Sequence, residues 1–558
     1  MIVRLGKRWL TGCSLLCIPF YLTAAQNDSI RDETEWRLRD KAAQEALDQK
    51  MQVISPPIQL PQVDDLPDLP HESVCFVIDS IDIKGLLSDW ATSQGDSYIG
   101  QCMGFDSIQA YVRLINQKLL AEGYITSRAV LPEQNIASHV LVINIQEGII
   151  EKIEFPEDYR FFWRHSLPLQ VGDVLNLRDM EQAVDQLNRL QSQDVEFKIQ
   201  PGTYSNASIL VAQIKQTKPW SVGFSVDDSG SRSTGKYPLS LSGVVDNVVG
   251  VQDVLQYSFS RAREKDSGES NSASITWSLP IGYWLLEMSN SRSDYRQETV
   301  GSVRTFELSG TGDDKKIALN YVLSRDNKSK TSLLGAVKTR NRRSYIDDTE
   351  IEVQQRNLTE LELGASYRKY LPNAVLDFSL SMHQGVEWLG ADKVDSGASS
   401  NVAQPNYRFY SLTTSVSAPF SLLETKMNYS GRLFMQYADT AIYSLDWFSN
   451  GGRYTVRGFS GSESLSAESG WRLRNDIALP FSIKRFSTTG YLGLDIGEVY
   501  GDGAEEESSK TLMGISLGFK GQLFGANYDV SVSEPFLAHG PYAKAHDYKV
   551  SAMLSAQF

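Results

Sequence analysis

The sequence predicts a transmembrane β-barrel of about 16 antiparallel strands, preceded by two small α/β modules and a polar N-terminal helix. Three observations carry this. After the first two dozen residues, no apolar run reaches the roughly 18 residues that a membrane helix needs. From residue 218 to Phe558, short segments alternate apolar and polar side chains between turns rich in Gly, Asp, Asn and Ser. Ahead of them lie two stretches in which strand-like and helix-like apolar spacings follow one another.

The 558 residues exceed what one ordinary core organises, so several domains or one very large barrel are expected. Residues 1–25 read as a secretory signal. Arg4, Lys7 and Arg8 precede an apolar stretch from Trp9 to Leu22, and Thr23, Ala24 and Ala25 supply the cleavage site. Cys17 is not read as a lipidation site, because Leu16 stands where such a site takes Gly or Ala. Cys13 and Cys17 leave with the signal, so Cys75 and Cys102 remain as an even pair in an oxidising compartment and read as a disulfide. Closing that loop contributes about 3 kcal/mol in the chain-entropy model. A metal site fails for want of ligands, since the histidines show neither zincin nor zinc-finger spacing, and no cofactor is expected. The net charge of -14 opposes nucleic acid, whose phosphates need a basic footprint.

Residues 26–51 read as a helix, because Gly and Pro are absent from Asp28 to Met51 and Glu, Gln, Arg, Lys and Ala dominate. Its charges are spread all round. Ile30, Trp36, Leu38 and Leu47 make no wide apolar stripe, so it belongs in water or a polar channel. Residues 52–73 are a proline-marked linker. The first module, residues 74–147, opens with a strand near Cys75 to Ile78. Its helix buries Ile108, Tyr111, Val112, Ile115 and Leu119, and strands at Ile125 to Leu131 and Val140 to Ile145 close it. The second, residues 148–217, carries Met180, Val184 and Leu187 on one helix face and strands at Val195 to Gln200 and Ile209 to Ile214.

From 218 to 558 the alternation is explicit at Trp220, Val222, Phe224 and Val226, and again at Ile317, Leu319, Tyr321 and Leu323. It returns in the last strand, which ends on the aromatic Phe558. A soluble β-sandwich also alternates, but the signal, the number of strands and the aromatic end favour a barrel in lipid.

Two short motifs sit in this region, Val456-Arg457-Gly458-Phe459 and Gly493-Leu494-Asp495-Ile496-Gly497. Alternation turns Gly493, Asp495 and Gly497 away from Leu492, Leu494 and Ile496, and a carboxylate cannot face lipid cheaply, so Asp495 points into the lumen. The flanking glycines leave room for another segment, and Arg457 lies in a glycine-rich loop from Asn450 to Gly461. Both motifs resemble the paired signatures of the two-partner secretion outer-membrane transporters of the haemolysin-activator type. The order of signal, polar helix, proline-rich linker, two POTRA (polypeptide-transport-associated) domains and aromatic-ended barrel resembles that family too.

The resemblance implies a Gram-negative outer-membrane location with periplasmic N-terminal domains, and a plug role for the helix. It further implies that the loop folds back so that Arg457 pairs with Asp495, and that Phe558 belongs to a C-terminal signal read by the barrel-assembly machinery. The partners implied are outer-membrane lipid and a secreted exoprotein, a haemolysin, adhesin or contact-dependent inhibition toxin, captured through its N-terminal secretion domain. Whether the ion pair serves transport or only stabilises the barrel is open on these residues. A barrel-assembly insertase is expected to have more POTRA repeats and no plug, and a diffusion porin no periplasmic modules. Gly514-Ile515-Ser516-Leu517-Gly518 matches a hydrolase nucleophile elbow, but strand alternation runs on through Phe519 and no helix follows, so no catalytic residue is assigned.

Overall fold

The computed structural model describes residues 33, 35–45, 58, 60, 72–88, 98–231, 233–264, 268–301, 304–397, 399, 401–459, 463–483, 486–504, 510–537 and 548–558. The signal segment, most of the linker and both ends of the polar helix lie outside them.

Helix α1 comprises residues 35–45. In the first module, β1 (Phe76–Val77), β2 (Ser80–Lys84), β3 (Cys102–Met103), α2 (Phe105–Ala121), β4 (Arg128–Val130) and β5 (Val140–Gln146) follow in turn. Strand β5 lies between β2, parallel to it, and β4, antiparallel. Helix α2 packs Ile108, Tyr111, Ile115 and Leu119 onto Ile83, Leu141 and Ile143 of that sheet, the face that the helical spacing predicts. The β1–β3 ribbon is joined by the Cys75–Cys102 disulfide, whose Cα atoms are 5.4 Å apart.

The N-terminus of α2 has no cap from its own neighbour Gly104. Glu72 supplies one from outside, accepting hydrogen bonds from the backbone N–H groups of Gly104, Asp106 and Ser107 at 3.0, 2.9 and 3.0 Å and from the Ser107 hydroxyl at 2.6 Å. The hydroxyl above all, with the three amides, holds the Glu72 carboxyl below its ordinary range.

The second module contains β6 (Ile149–Glu154), α3 (Leu177–Leu187), β7 (Gln193–Pro201) and β8 (Ala207–Gln216), with β8 between the other two strands. Met180, Ala183 and Leu187 of α3 enter its core. Val184, expected on that face, is only half-buried, and the polar face of α3 is buried as well, because it rests on the barrel.

Among the described residues, sixteen antiparallel strands close into the barrel, each beside its chain neighbour, with Lys549–Gln557 pairing back to Trp220–Asp227. At this seam the Val222 and Phe558 backbones exchange hydrogen bonds of 3.1 and 2.8 Å. Apolar residues such as Phe224, Ile275, Ile317, Leu363 and Leu517 stand exposed on the outside, as a lipid-facing wall requires. The first strand starts beside the second module, so the short turns after every second strand lie at the module end. Module and rim are joined there: Gln186 Nε2 donates to the Gly282 carbonyl at 2.8 Å, and Ser192 N–H donates to Asp246 at 2.7 Å. Arg325 reaches Glu181 at 3.2 Å and Asp185 at 2.5 Å.

Candidate functional site

Among the described residues, the lumen holds two segments that are not part of the wall: α1 and the connection spanning 439–468. The connection contains a small antiparallel ribbon, Phe448–Asn450 with Leu465–Ala467, and between its arms the chain carries the Val456 to Phe459 motif. Val456 and Phe459 are buried with Phe434, Phe448, Leu465, Val499 and Leu512, so the loop is seated by an apolar cluster of its own inside an otherwise polar channel.

Beside that cluster, Arg457 meets the strand Phe486–Tyr500. Its Nε and Nη2 donate to the two oxygens of Asp495 at 2.6 and 2.7 Å, and its backbone N–H adds a third bond at 3.0 Å. The pairing is bidentate, which fixes orientation as well as distance. Asp495 is 0 % exposed and Arg457 7 %, so neither charge has water in place of the other. The guanidinium also reaches Asp476 at 2.7 Å, and Asp476 lies 3.6 Å from Arg432.

The glycines are explained by this approach. A Cβ on Gly493 would lie 2.3 Å from the Arg457 guanidinium, and one on Gly497 would lie 2.7 Å from the Asn450 amide. Gly458 has φ +97°, a left-handed conformation that favours glycine, and sits against the backbone of Glu534. Gly514 makes the closest approach of all, since a Cβ there would fall 1.7 Å from the Arg457 carbonyl oxygen. The glycine that resembled part of a hydrolase elbow therefore marks the loop's seat. Its companion Ser516 lies within the continuous strand Thr511–Leu523, accepting a 2.8 Å hydrogen bond from Ser533.

Helix α1 adjoins the same cluster through Ala43. Arg37 pairs with Glu33 along the helix itself, while other charges scattered round the axis meet wall or loop groups. Asp40 pairs with Arg472 at 2.9 Å and accepts from the Ser449 hydroxyl at 2.8 Å. Lys41 pairs with Asp227 at 2.9 Å, and Glu35 pairs with Arg342. The Trp36 indole donates to the Ser444 carbonyl at 3.0 Å, and Arg39 donates to that of Trp447 at 2.8 Å.

Arg472 ties helix and loop together, because it also donates to the Ser449 carbonyl at 3.1 Å and lies 4.6 and 4.9 Å from the Phe434 and Phe448 ring centres. The residues that sequence reasoning missed are Asp40, Arg472 and Asp476. A signal was present, since Arg472, Arg474 and Asp476 alternate along one strand and so share its inner face. Of the sequence-predicted residues, Val456, Arg457, Gly458, Phe459, Gly493, Asp495 and Gly497 come together in the lumen. Phe558 lies at the seam, and Cys75 and Cys102 belong to the first module.

Among the described residues, Glu360, Glu362 and His383 could in principle hold a cation. Their donors are already engaged. Glu360 lies 3.2 Å from Arg340 and accepts from Tyr407 at 3.0 Å, Glu362 pairs with Lys316 at 2.7 Å, and His383 contacts Ser411 at 3.0 Å. The cluster is an ion network of the wall.

Comparison with known proteins places this geometry in context. A model of the haemolysin secretion/activation protein ShlB/FhaC/HecB matches residues 206–521, a ShlB-type POTRA domain matches 76–148, and a second POTRA domain matches 149–201. The outer membrane transporter CdiB-2 of Burkholderia pseudomallei is 33% identical, over 96% of this chain and 95% of its own. The hemolysin transporter protein ShlB of Serratia marcescens is 27% identical, with 88% of each chain covered. Among solved structures, CdiB from Escherichia coli superposes with a TM-score of 0.82 at 25% identity, over 96% of this chain and 99% of that one.

Proposed function

Because the chain belongs to the ShlB/FhaC/HecB family of two-partner secretion transporters of the outer membrane, we propose that Arg457 and Asp495 hold the inserted loop in the position from which it passes cargo, and that α1 plugs the resting pore. The protein exports a cognate exoprotein from the periplasm to the exterior. The observation that carries the proposal is the shared seat of the two lumen segments: α1 and the loop meet at Arg472, Ser449 and the Phe448 cluster. An exported chain must move at least one of them.

The working division is residues 74–147 and 148–217 for the periplasmic modules and 218–558 for the barrel. The modules capture the exoprotein's N-terminal secretion domain, which adds a strand to an open sheet edge through backbone hydrogen bonds. Phe558 is read by the barrel-assembly machinery during biogenesis. Free energy for export comes from the cargo folding outside. The neighbouring reading frame should encode that cargo, a very long repeat-rich exoprotein.

Deletion of residues 28–51 tests the plug. A polar helix of that length measures about 36 Å, enough to cross the hydrocarbon core within a wet lumen. Conductance of the deletion variant in planar bilayers should rise well above that of the full chain. Equal conductance would refute the plug.

A further inference from the structure

The outer wall changes character along three long neighbouring strands, Trp284–Val300, Thr305–Arg325 and Ser329–Ile346. Their register sets outward side chains in rows. Trp284, Tyr321 and Leu333 form one row, Leu286, Leu319 and Gly335 the next, and Met288, Ile317 and Val337 the third. These rows face lipid, with Met288 and Ile317 exposed. Farther from the modules, the same faces carry Asn290, Lys315 and Thr339, then Arg292, Asp313 and Asn341, then Asp294, Thr311 and Arg343. Strand parity keeps all of them outward.

These polar rows do not form a flat wall. A cleft of about 640 Å³ opens there, lined by Arg292, Lys315, Arg343, Asp313 and Thr339, with Leu389 from the 387–407 connection as its lip. Its charges are largely unspent. Arg292 makes no ion pair among the described residues, Arg343 comes only within 3.9 Å of Glu350, and Lys315 lies 3.6 Å from Asp313 with both side chains exposed. In a chain of net charge -14, three cations facing outward in one cleft run against the overall balance.

Depth identifies the occupant. Rows lie about 7 Å apart along a strand, or about 5 Å along the membrane normal at a tilt near 40°. Lys315 and Arg292 therefore stand about 5 and 10 Å beyond the last apolar row, on the side away from the periplasmic modules, at headgroup rather than acyl-chain depth.

We propose that this cleft binds the phosphorylated sugar headgroup of an outer-leaflet lipid of the lipid A class. Arg292, Lys315 and Arg343 hold its phosphates, the two guanidiniums as bidentate forks, and Thr339 and Asn341 meet its sugar hydroxyls. Site and occupant share a depth because strand register sets the one and the leaflet sets the other.

The test uses delipidated full-length protein in detergent, with diphosphoryl lipid A, its dephosphorylated form and inorganic phosphate as probes, and binding read by native mass spectrometry. Diphosphoryl lipid A should bind the wild-type protein, and Arg292→Gln/Lys315→Gln/Arg343→Gln should weaken it by about tenfold or more. Dephosphorylated lipid A should not distinguish the two proteins, and millimolar phosphate should not displace the lipid. Arg261→Gln/Arg263→Gln, on the outward face of Val254–Glu264, should leave affinity unchanged. Equal binding by the triple variant, an equal loss in the control, or occupation by phosphate alone would overturn the proposal. Lys315→Gln alone, whose side chain is exposed, repeats the comparison if the triple variant does not fold.

Discussion

Arg457 has two carboxylate partners, and this makes the consequences of its removal unequal to those of removing Asp495. Arg457→Ala leaves the water-excluded Asp495 with the backbone N–H of residue 457 but no guanidinium, whereas Asp495→Asn leaves Arg457 paired with Asp476. Breaking a buried pair from one side costs about 3–5 kcal/mol. Arg457→Ala should therefore reduce exported cargo more than Asp495→Asn, while heat-modifiable migration still reports a folded barrel. The double variant Arg457→Ala/Asp495→Ala should be no worse than Arg457→Ala, because the two residues act on one contact. Equal losses from the two single changes would remove Asp476 from the account. Gly514→Ala separates loop position from charge. It places a Cβ 1.7 Å from the Arg457 carbonyl, where only backbone movement makes room, yet alters no ionisable group. Export by Gly514→Ala should fall as it does for Arg457→Ala, and normal export would show that the position of the loop is not what matters.

At the level of elements, α1 and α2 are both held by groups remote in sequence. Helix α1 depends on Asp40 to reach Arg472 and Ser449, so Asp40→Ala should raise the frequency of channel opening in bilayers without the full effect of deleting the helix. Helix α2 depends on Glu72. Hydrogen exchange at Asp106 and Ser107 in the full chain should speed up in Glu72→Gln, since the amide keeps one acceptor oxygen but loses the charge that favours the helix N-terminus. The sign with pH follows from the lowered carboxyl. Protection from Glu72 is fully present above the unfolded carboxyl value and disappears as pH falls through the folded one. Protection that does not change between neutral and acid pH would assign the helix start to other contacts.

For the whole molecule, the joint between the second module and the barrel rim is the mechanical link between cargo capture and pore. Asp185 of α3 is half-buried, which by itself raises its carboxyl, but Lys330 and Arg325 outweigh that desolvation and hold it below the ordinary range. Its contribution to docking is therefore complete above about pH 4 and is lost only as pH falls through the lowered value. Spin-label distances between module and barrel should stay narrow from pH 8 to pH 5 and broaden in acid. Arg325→Ala should broaden them at neutral pH, because Glu181 loses its rim partner and Asp185 keeps only Lys330. Distances unchanged in that variant would show that the hydrogen bonds at Gly282 and Asp246 suffice to hold the module.

Period-two alternation, helical spacing and turn residues were enough to read the barrel, the modules and the polar helix from the chain, because these patterns are local consequences of which face meets lipid, core or water. Leu492, Gly493, Leu494 and Asp495 alone say which way the carboxylate points. What lies opposite it is a matter of long-range packing. The Arg457 to Asp476 contact, the tie from Asp40 through Arg472 to the loop, and the closeness of Gly514 to the Arg457 carbonyl join residues far apart in sequence. Val184 shows the same boundary within one helix. Helical spacing assigned it to the core, but α3 is buried on both sides, and the rim beneath its polar face belongs to strands a hundred residues away. The sequence by itself determined which side chains face lipid, core and lumen. Only the closed barrel decided which of the lumen groups meet, because ring closure brings distant strands to a common interior, and no local period encodes that.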